Sequence, residues 1–296
     1  MKIFDCFQFF DENMMLDLRL NILNEYVHKF VIVENAFMHS GLKKKPVFNI
    51  NNFSKFKDKI IYILVDKLPV GLNDVDKIKD KDTRGNRIID NTLMIEHKQR
   101  NSILSGLNDA LDDDLIIVSD VDEIPNLKGI NSNSINKKLI HFKQKMYYYK
   151  FNLEYSSKPW FGSKACLKKN FILPQWLRDT KERRYPLWRF DILFSKMKYN
   201  SIKYIEDGGW HFVNVKSPES IEKKLNNFGH HLEYKESGLN LDDIRKMVDG
   251  GKAIYDYHAD MKKSKWSGNE KLRKTSLAEL PVYIQENILK YKEWID

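Results

Sequence analysis

Cysteine is nearly absent from this chain. Its two residues, Cys6 and Cys166, cannot build a disulfide framework, and their scarcity fits a reducing compartment. Cys6 lies in an apolar, strand-like run and is expected to be a small buried residue. No stretch approaches the roughly 20 consecutive apolar residues that a membrane-spanning helix requires. The opening Met1-Lys2-Ile3-Phe4-Asp5 meets an acid at once and lacks the apolar core of a secretory signal. These absences predict a cytoplasmic protein, one that could work at the inner face of a membrane. Internal repeats are missing, and so is any linker long enough to separate independent units. Residues 1–296 are therefore expected to form one domain.

What is present is ordinary for a globular chain with a real core: 42% hydrophobic and 31% charged residues. Aromatics are somewhat rich, with 14 Tyr and 6 Trp. The net charge of +9 invites a nucleic-acid reading. However, the lysines are scattered among asparagines and isoleucines along the whole chain, so no nucleic-acid partner is expected. A polyanionic small molecule, or an acceptor on an anionic membrane surface reached by peripheral contact, uses the same charge more economically.

Apolar periodicity predicts strands at about residues 2–10, 29–34, 59–65 and 115–119. A helical stripe of Met15, Leu18, Ile22 and Tyr26 follows the first, with Asp11 or Asn13 placed to cap it. A second stripe, Leu93, His97, Arg100, Leu104, Leu107 and Leu111, precedes the fourth. Strands alternating with helices predict an α/β fold with a parallel or mixed sheet. From residue 139 the character changes: Leu139 to Leu153 suggests one or two long antiparallel strands. Ser217-Pro218-Glu219 is a helix start, Leu280 to Trp294 has the pattern of an amphipathic helix, and His230-His231 is expected on a helix surface.

Asp-x-Asp occurs four times, at Asp74/Asp76, Asp80/Asp82, Asp112/Asp114 and Asp120/Asp122. The first two fall in the polar run Asn73–Arg87, expected to be a solvated loop. The third lies at the wrong end of the fourth strand and is expected to cap or end the preceding helix. Only Asp120 and Asp122 follow an apolar strand, Leu115-Ile116-Ile117-Val118-Ser119, at the C-terminal edge where open α/β sheets bind ligands. Carboxylates so closely spaced suit Mg²⁺ or Mn²⁺ shared with a diphosphate.

Several blocks, in order, resemble glycosyltransferase family 17, the family of the bisecting β1,4-mannosyl-glycoprotein N-acetylglucosaminyltransferase. They are Phe9-Phe10-Asp11-Glu12 with Leu16-Asp17-Leu18-Arg19; Val27 through Glu34 to Pro46; Ser119 to Pro125; Gly209-Trp210-His211; and Ile244-Arg245 with Gly250-Gly251. The resemblance implies a GT-A-like single domain with a Rossmann-like mixed sheet. It divides into a nucleotide-sugar-binding half (1–135) and an acceptor-side half (136–296). The implied activity is metal-dependent, inverting transfer of a sugar, N-acetylglucosamine from a UDP donor, to a glycan or glycolipid acceptor. Two rivals remain at this point: a carbohydrate-binding scaffold on the same fold, and a metal-dependent nucleotidyltransferase.

The roles expected on this basis are as follows. Asp120, Asp122 and His211 hold Mn²⁺ or Mg²⁺. Glu12, Glu34, Arg100, Asp120 and Trp210 bind the donor, and Arg19 pairs with a neighbouring carboxylate. Glu123, Asp191 and Glu233 are, in that order, candidates for the general base that takes the acceptor hydroxyl's proton. Arg183, Arg184 and Trp188, in a basic and aromatic segment with Arg178 and Arg189, bind the acceptor.

Overall fold

The structure is a computed structural model describing all residues except 187, 228–230, 259–265 and 267–269. His230 lies outside the described residues. The strands are β1 (Ile3–Phe9), β2 (Lys29–Asn35), β3 (Ile60–Val65), β4 (Leu115–Asp120), β5 (Glu123–Pro125), β6 (Leu139–Phe142), β7 (Gln144–Tyr148), β8 (Leu153–Trp160), β9 (Lys164–Leu167), β10 (Ile202–Ile205), β11 (Gly209–Val213) and β12 (Arg273–Lys274). The helices are α1 (Asn13–Leu23), α2 (Lys81–Asn101), α3 (Pro174–Asp179), α4 (Asp191–Phe194), α5 (Pro218–Asn227), α6 (His231–Ser237), α7 (Leu241–Asp249) and α8 (Val282–Glu286). The fold is mixed α/β, as expected, but it contains two sheets rather than one.

The larger sheet runs β10-β6-β9-β4-β1-β2-β3. Within it β4, β1, β2 and β3 are parallel neighbours, and β9 runs antiparallel between β4 and β6. The first strands are buried on both faces, which is why they appear in sequence as unbroken apolar runs. Cys6 and Cys166 are both buried there. The smaller sheet, β12-β8-β7-β11-β5, branches off just after β4. The stretch from Leu139 forms two strands, each with an antiparallel neighbour, as expected, but they part at Lys143, β6 joining the larger sheet and β7 the smaller. Strands from beyond residue 139 thus complete the sheet that residues 3–120 begin.

Four local expectations differ from the structure. Helix α2 starts inside the supposed loop, because the Asp80 carboxylate caps it by accepting the Thr83 N–H at 2.8 Å. Its buried face is Thr92, Ile95, Gln99 and Arg100, while Leu93, Leu104 and Leu111 are exposed. Neither Asp11 nor Asn13 caps α1; Glu12 occupies the cap position without a side-chain bond. The C-terminal helix is cut to α8, since Asn287 turns its amide back onto the Tyr283 carbonyl at 2.8 Å and leaves helical geometry. Asp114, by contrast, caps the turn before β4, accepting the N–H groups of Lys2 at 2.6 Å and Leu111 at 2.9 Å.

Candidate active site

A cavity of about 510 Å³ opens beyond the C-terminal ends of β1, β2 and β4, a size and position usual for small-molecule sites. Phe9, Phe10 and Phe37 line its apolar side. Asp120, Asp122, Glu123, Arg100, Trp160 and His211 line its polar side.

The loop from Asp120 to Glu123 is held from beneath by Arg19, which is wholly buried. Its guanidinium makes a fork-to-fork pair with Asp5 at 2.8 and 2.6 Å, and the same group donates to the carbonyls of Asp120 at 3.0 Å and Glu123 at 2.7 Å. Arg19 therefore does pair with a carboxylate, and it also sets the backbone of the acidic loop. Buried charges of this kind persist only when every donor finds a partner.

Asp120 leaves this loop into a cage of cations. Arg178 reaches its Oδ2 at 3.0 Å and Arg100 its Oδ1 at 3.3 Å. Burial alone would raise the Asp120 pKa, but Arg178 and Arg100 outweigh it and hold the carboxyl well below the usual range. Arg178 sits on the last turn of α3 and also grips Glu123, at 2.7 Å to one oxygen and 3.1 Å to the other. The remaining bonds to Glu123 come from the Asp120 N–H at 2.7 Å and the Trp160 indole at 2.7 Å. Both Glu123 oxygens are thus committed, so this side chain braces the site and offers no lone oxygen to a base's task. A Cβ at Gly162 would lie 2.0 Å from Glu123 Oε1, so glycine there leaves the room in which this pair forms.

Asp122 is set differently. Among the described residues its nearest basic partners are His211 Nε2 and Lys224 Nζ, each at 3.8 Å, beyond hydrogen-bond reach. Burial raises its pKa against the pull of Lys224 and His211, while burial lowers that of His211 and favours the neutral imidazole. His211 arrives opposite Glu123 through the antiparallel β5–β11 ladder. That approach requires Gly209, with φ +110° and a virtual Cβ 2.2 Å from the Ile124 carbonyl. The imidazole stacks on Trp160 with ring centroids 4.8 Å apart, and its Nδ1 is buried without a hydrogen-bond partner.

Among the described residues, no group of three or more His, Cys, Asp or Glu side chains converges as a ready metal cage. Asp122 and His211 do face each other. Two adjacent ligands of an octahedral ion at about 2.1 Å stand about 3 Å apart, so a small side-chain adjustment would let this pair share one. Asp120 is turned to the arginines instead.

The other expected residues fall at different distances from this centre. Glu12 lines the cavity and ion-pairs with Lys216 at 3.4 Å. Burial opposes its ionisation, but Lys216 and Lys224 hold its pKa below the usual value. Glu233 on α6 also lines the cavity. Glu34 does not: it is buried beneath the 44–48 loop, accepting from Lys44, the Val47 and Phe48 N–H groups and the Tyr62 hydroxyl. Strand alternation turns Trp210 away from His211, and its indole donates to the Glu279 carbonyl at 2.9 Å. Asp191 lies outside the cavity, bound by Arg189 at 2.8 Å and Lys198 at 2.6 Å. Arg183 lines a neighbouring cavity, Arg184 lies over the Tyr204 ring, and Trp188 projects outward. The functional residues that sequence reasoning missed are Arg178, seen there only as one of a basic cluster, and Trp160, which ties Glu123 to His211.

The family model of Glycosyltransferase family 17 matches residues 1–176, more than half of the chain and inclusive of Asp120–Glu123. No curated protein matches the chain. Among solved structures, the crystal structure of HddC from Yersinia pseudotuberculosis is similar at 9% identity and a TM-score of 0.33, over 71% of this chain and 91% of that one. That likeness is too low to carry an argument.

Proposed function

Because the chain belongs to glycosyltransferase family 17, it is a glycosyltransferase acting on a sugar donor and a glycan acceptor, and we propose that it moves N-acetylglucosamine from a UDP donor with inversion to a β linkage, on a GT-A-like scaffold, with Mn²⁺ or Mg²⁺. The observation that carries this reading is the placement of Asp122 and His211 Nε2, 3.8 Å apart and outside hydrogen-bond reach of each other, at the mouth of the β4 edge beside a 510 Å³ cavity. A divalent ion held by Asp122 and His211 would supply charge neutralisation to the departing diphosphate.

The chain's own residues supply the rest. Arg100 and Arg178 are anchored by Asp120 beside the same cavity, where fixed guanidinium groups favour an anionic donor. Phe9, Phe10 and Phe37 give the apolar wall on which a flat base can rest. With Glu123 braced and Asp191 remote, Glu233 is the remaining candidate among those expected to take the acceptor proton.

The test is donor turnover. UDP release from UDP-N-acetylglucosamine should be lost in Asp122→Ala and in excess chelator, with the circular dichroism spectrum unchanged for the variant. Full activity in either case would sink the metal reading. Consumption of nucleoside triphosphates rather than UDP-sugars would favour nucleotidyl transfer instead.

A further inference from the structure

Outside the cavity, the segment after α3 carries a surface that transfer chemistry does not explain. Trp188, Phe190 and Phe194 are 75%, 79% and 89% exposed. Phe190 precedes α4 in helical geometry and Phe194 ends it, so the two rings share one face, four residues apart. Single exposed apolar residues are common, but three large aromatics within seven positions are not the habit of a solvated loop.

The charge around them is equally uneven. Between residues 181 and 198 there are six Lys or Arg against two Asp or Glu. Three of those cations, Arg183, Arg189 and Lys198, stand 4.9, 5.5 and 5.6 Å from the centre of one buried Tyr185 ring. The only carboxylate bonded to Arg189 and Lys198 among the described residues is Asp191, which leaves positive charge in excess. Like charges are costly to gather so closely unless an anion meets them.

We propose that this face docks the protein on an anionic lipid bilayer, with Trp188, Phe190 and Phe194 entering the headgroup region and the surrounding cations meeting lipid phosphates. Exposed aromatics rimmed by Lys and Arg are the side chains that partition to that interface, and a membrane surface satisfies both halves of the patch at once. A soluble polyanion would meet the cations but leave three rings in water. A neighbouring cavity of about 570 Å³, lined by Lys164, Arg178, Arg183 and Tyr185, begins beside this face. A smaller one of about 270 Å³ shares Arg178 with it and reaches Asp120. Docking here would bring the catalytic edge close to lipid-borne material. The proposal does not depend on the donor or the metal.

Vesicle flotation of the full chain tests it. The protein should float with mixed phosphatidylglycerol and phosphatidylcholine vesicles, and not with phosphatidylcholine alone. Phe190→Ser with Phe194→Ser should lower the bound fraction about tenfold. Brominated lipid should quench a fluorescence component that disappears in Trp188→Leu. Lys181→Glu with Arg183→Glu, both on the surface, should also abolish flotation, and decides the matter if the phenylalanine variant fails to fold. No flotation, equal flotation on neutral vesicles, or flotation that survives both double variants would overturn the proposal. So would a finding that the aromatic face instead holds two copies of the chain together, with monomers appearing in the phenylalanine variant and lipid binding unchanged.

Discussion

Asp120 and Asp122 leave the same strand end two residues apart, yet Asp120 meets Arg178 at 3.0 Å and Arg100 at 3.3 Å, whereas Asp122 has, among the described residues, no cationic partner nearer than 3.8 Å. On the Asp120 side the charged groups hold one another: Glu123 pairs with Arg178 and Trp160, Arg19 with Asp5 and the loop carbonyls, and Arg100 with Asp120, its Nε alone lacking a partner. On the Asp122 side, a carboxylate with a raised pKa faces an imidazole with a lowered one. One wall is finished by the protein. The other keeps a carboxylate and an imidazole 3.8 Å apart, outside hydrogen-bond reach of each other.

The comparison breaks most sharply if the two acids are neutralised separately. Asp122→Asn should reduce turnover about a thousandfold, since it would loosen the hold on a cation that offsets the charge of the departing diphosphate, and losing one such stabilising contact is worth about that much. Its thermal midpoint should hold or rise. The sign follows from the raised pKa: the ionised carboxylate is disfavoured in the folded state, so at neutral pH its removal relieves a strain. A large fall in the midpoint would show that Asp122 belongs to the scaffold after all. Arg19→Met tests the opposite wall. It leaves Asp5 buried without its partner and frees the acidic loop, and should cost about 3 kcal/mol in denaturant unfolding. Adding Asp5→Leu should recover much of that stability without restoring full turnover, because the loop carbonyls of Asp120 and Glu123 stay unheld. Stability and activity recovering together would mean that Arg19 only holds the core.

A smaller effect is expected from Arg178→Lys. A point charge cannot reproduce the fork that reaches Asp120 and both Glu123 oxygens. Asp120 is 40% exposed, so solvent screening limits the loss on that arm, and we expect a total of about 2 kcal/mol together with a rise in donor KM. An unchanged donor KM would leave Arg178 a brace for Glu123 alone.

These contrasts also explain how much could be read from the chain itself. The parallel strands and the position of Asp120 were legible because unbroken apolar runs have one use in an α/β sheet, and because acids at the C-terminal edge have a physical reason to be there. His211 was legible through its glycines, and Gly209 does turn out to stand where any Cβ would strike the Ile124 carbonyl. The partners were not. Glu123, Glu34 and Trp210 have the right chemistry for a site, but a sequence does not say whether an oxygen is already spent, and Glu34 accepts four bonds from its own neighbourhood. Arg178 was hidden for the reverse reason. It is one of several arginines in a basic stretch, and only the packing of α3 against the end of β4 selects it. Helix α2 was misplaced because a single aspartate cap, Asp80, outweighs a polar composition.

The smallest effect concerns what stands behind Arg178. Lys164, buried on β9, donates to the carbonyls of Arg178 and Thr180 at 2.6 and 2.5 Å, and His141 on β6 shares a 3.1 Å bond with the Thr180 hydroxyl. Burial, with Lys164 adding to it, pushes the His141 pKa down to about 3. The unfolded chain begins to protonate this histidine near pH 6.5 while the folded chain does not, so the contribution is intact above that pH and is lost progressively as pH falls toward 3. Between pH 6 and pH 5 the wild type should lose about 1 kcal/mol from this group. His141→Gln can keep a bond to Thr180 but cannot titrate. Its unfolding free energy should therefore fall less steeply than that of the wild type over the same interval, even if it is lower at pH 7. Parallel slopes would mean that His141 takes up its proton in the folded state. The layer behind Arg178 would then yield to charge, and the finished wall of the site would be less rigid than the pairing around Asp120 implies.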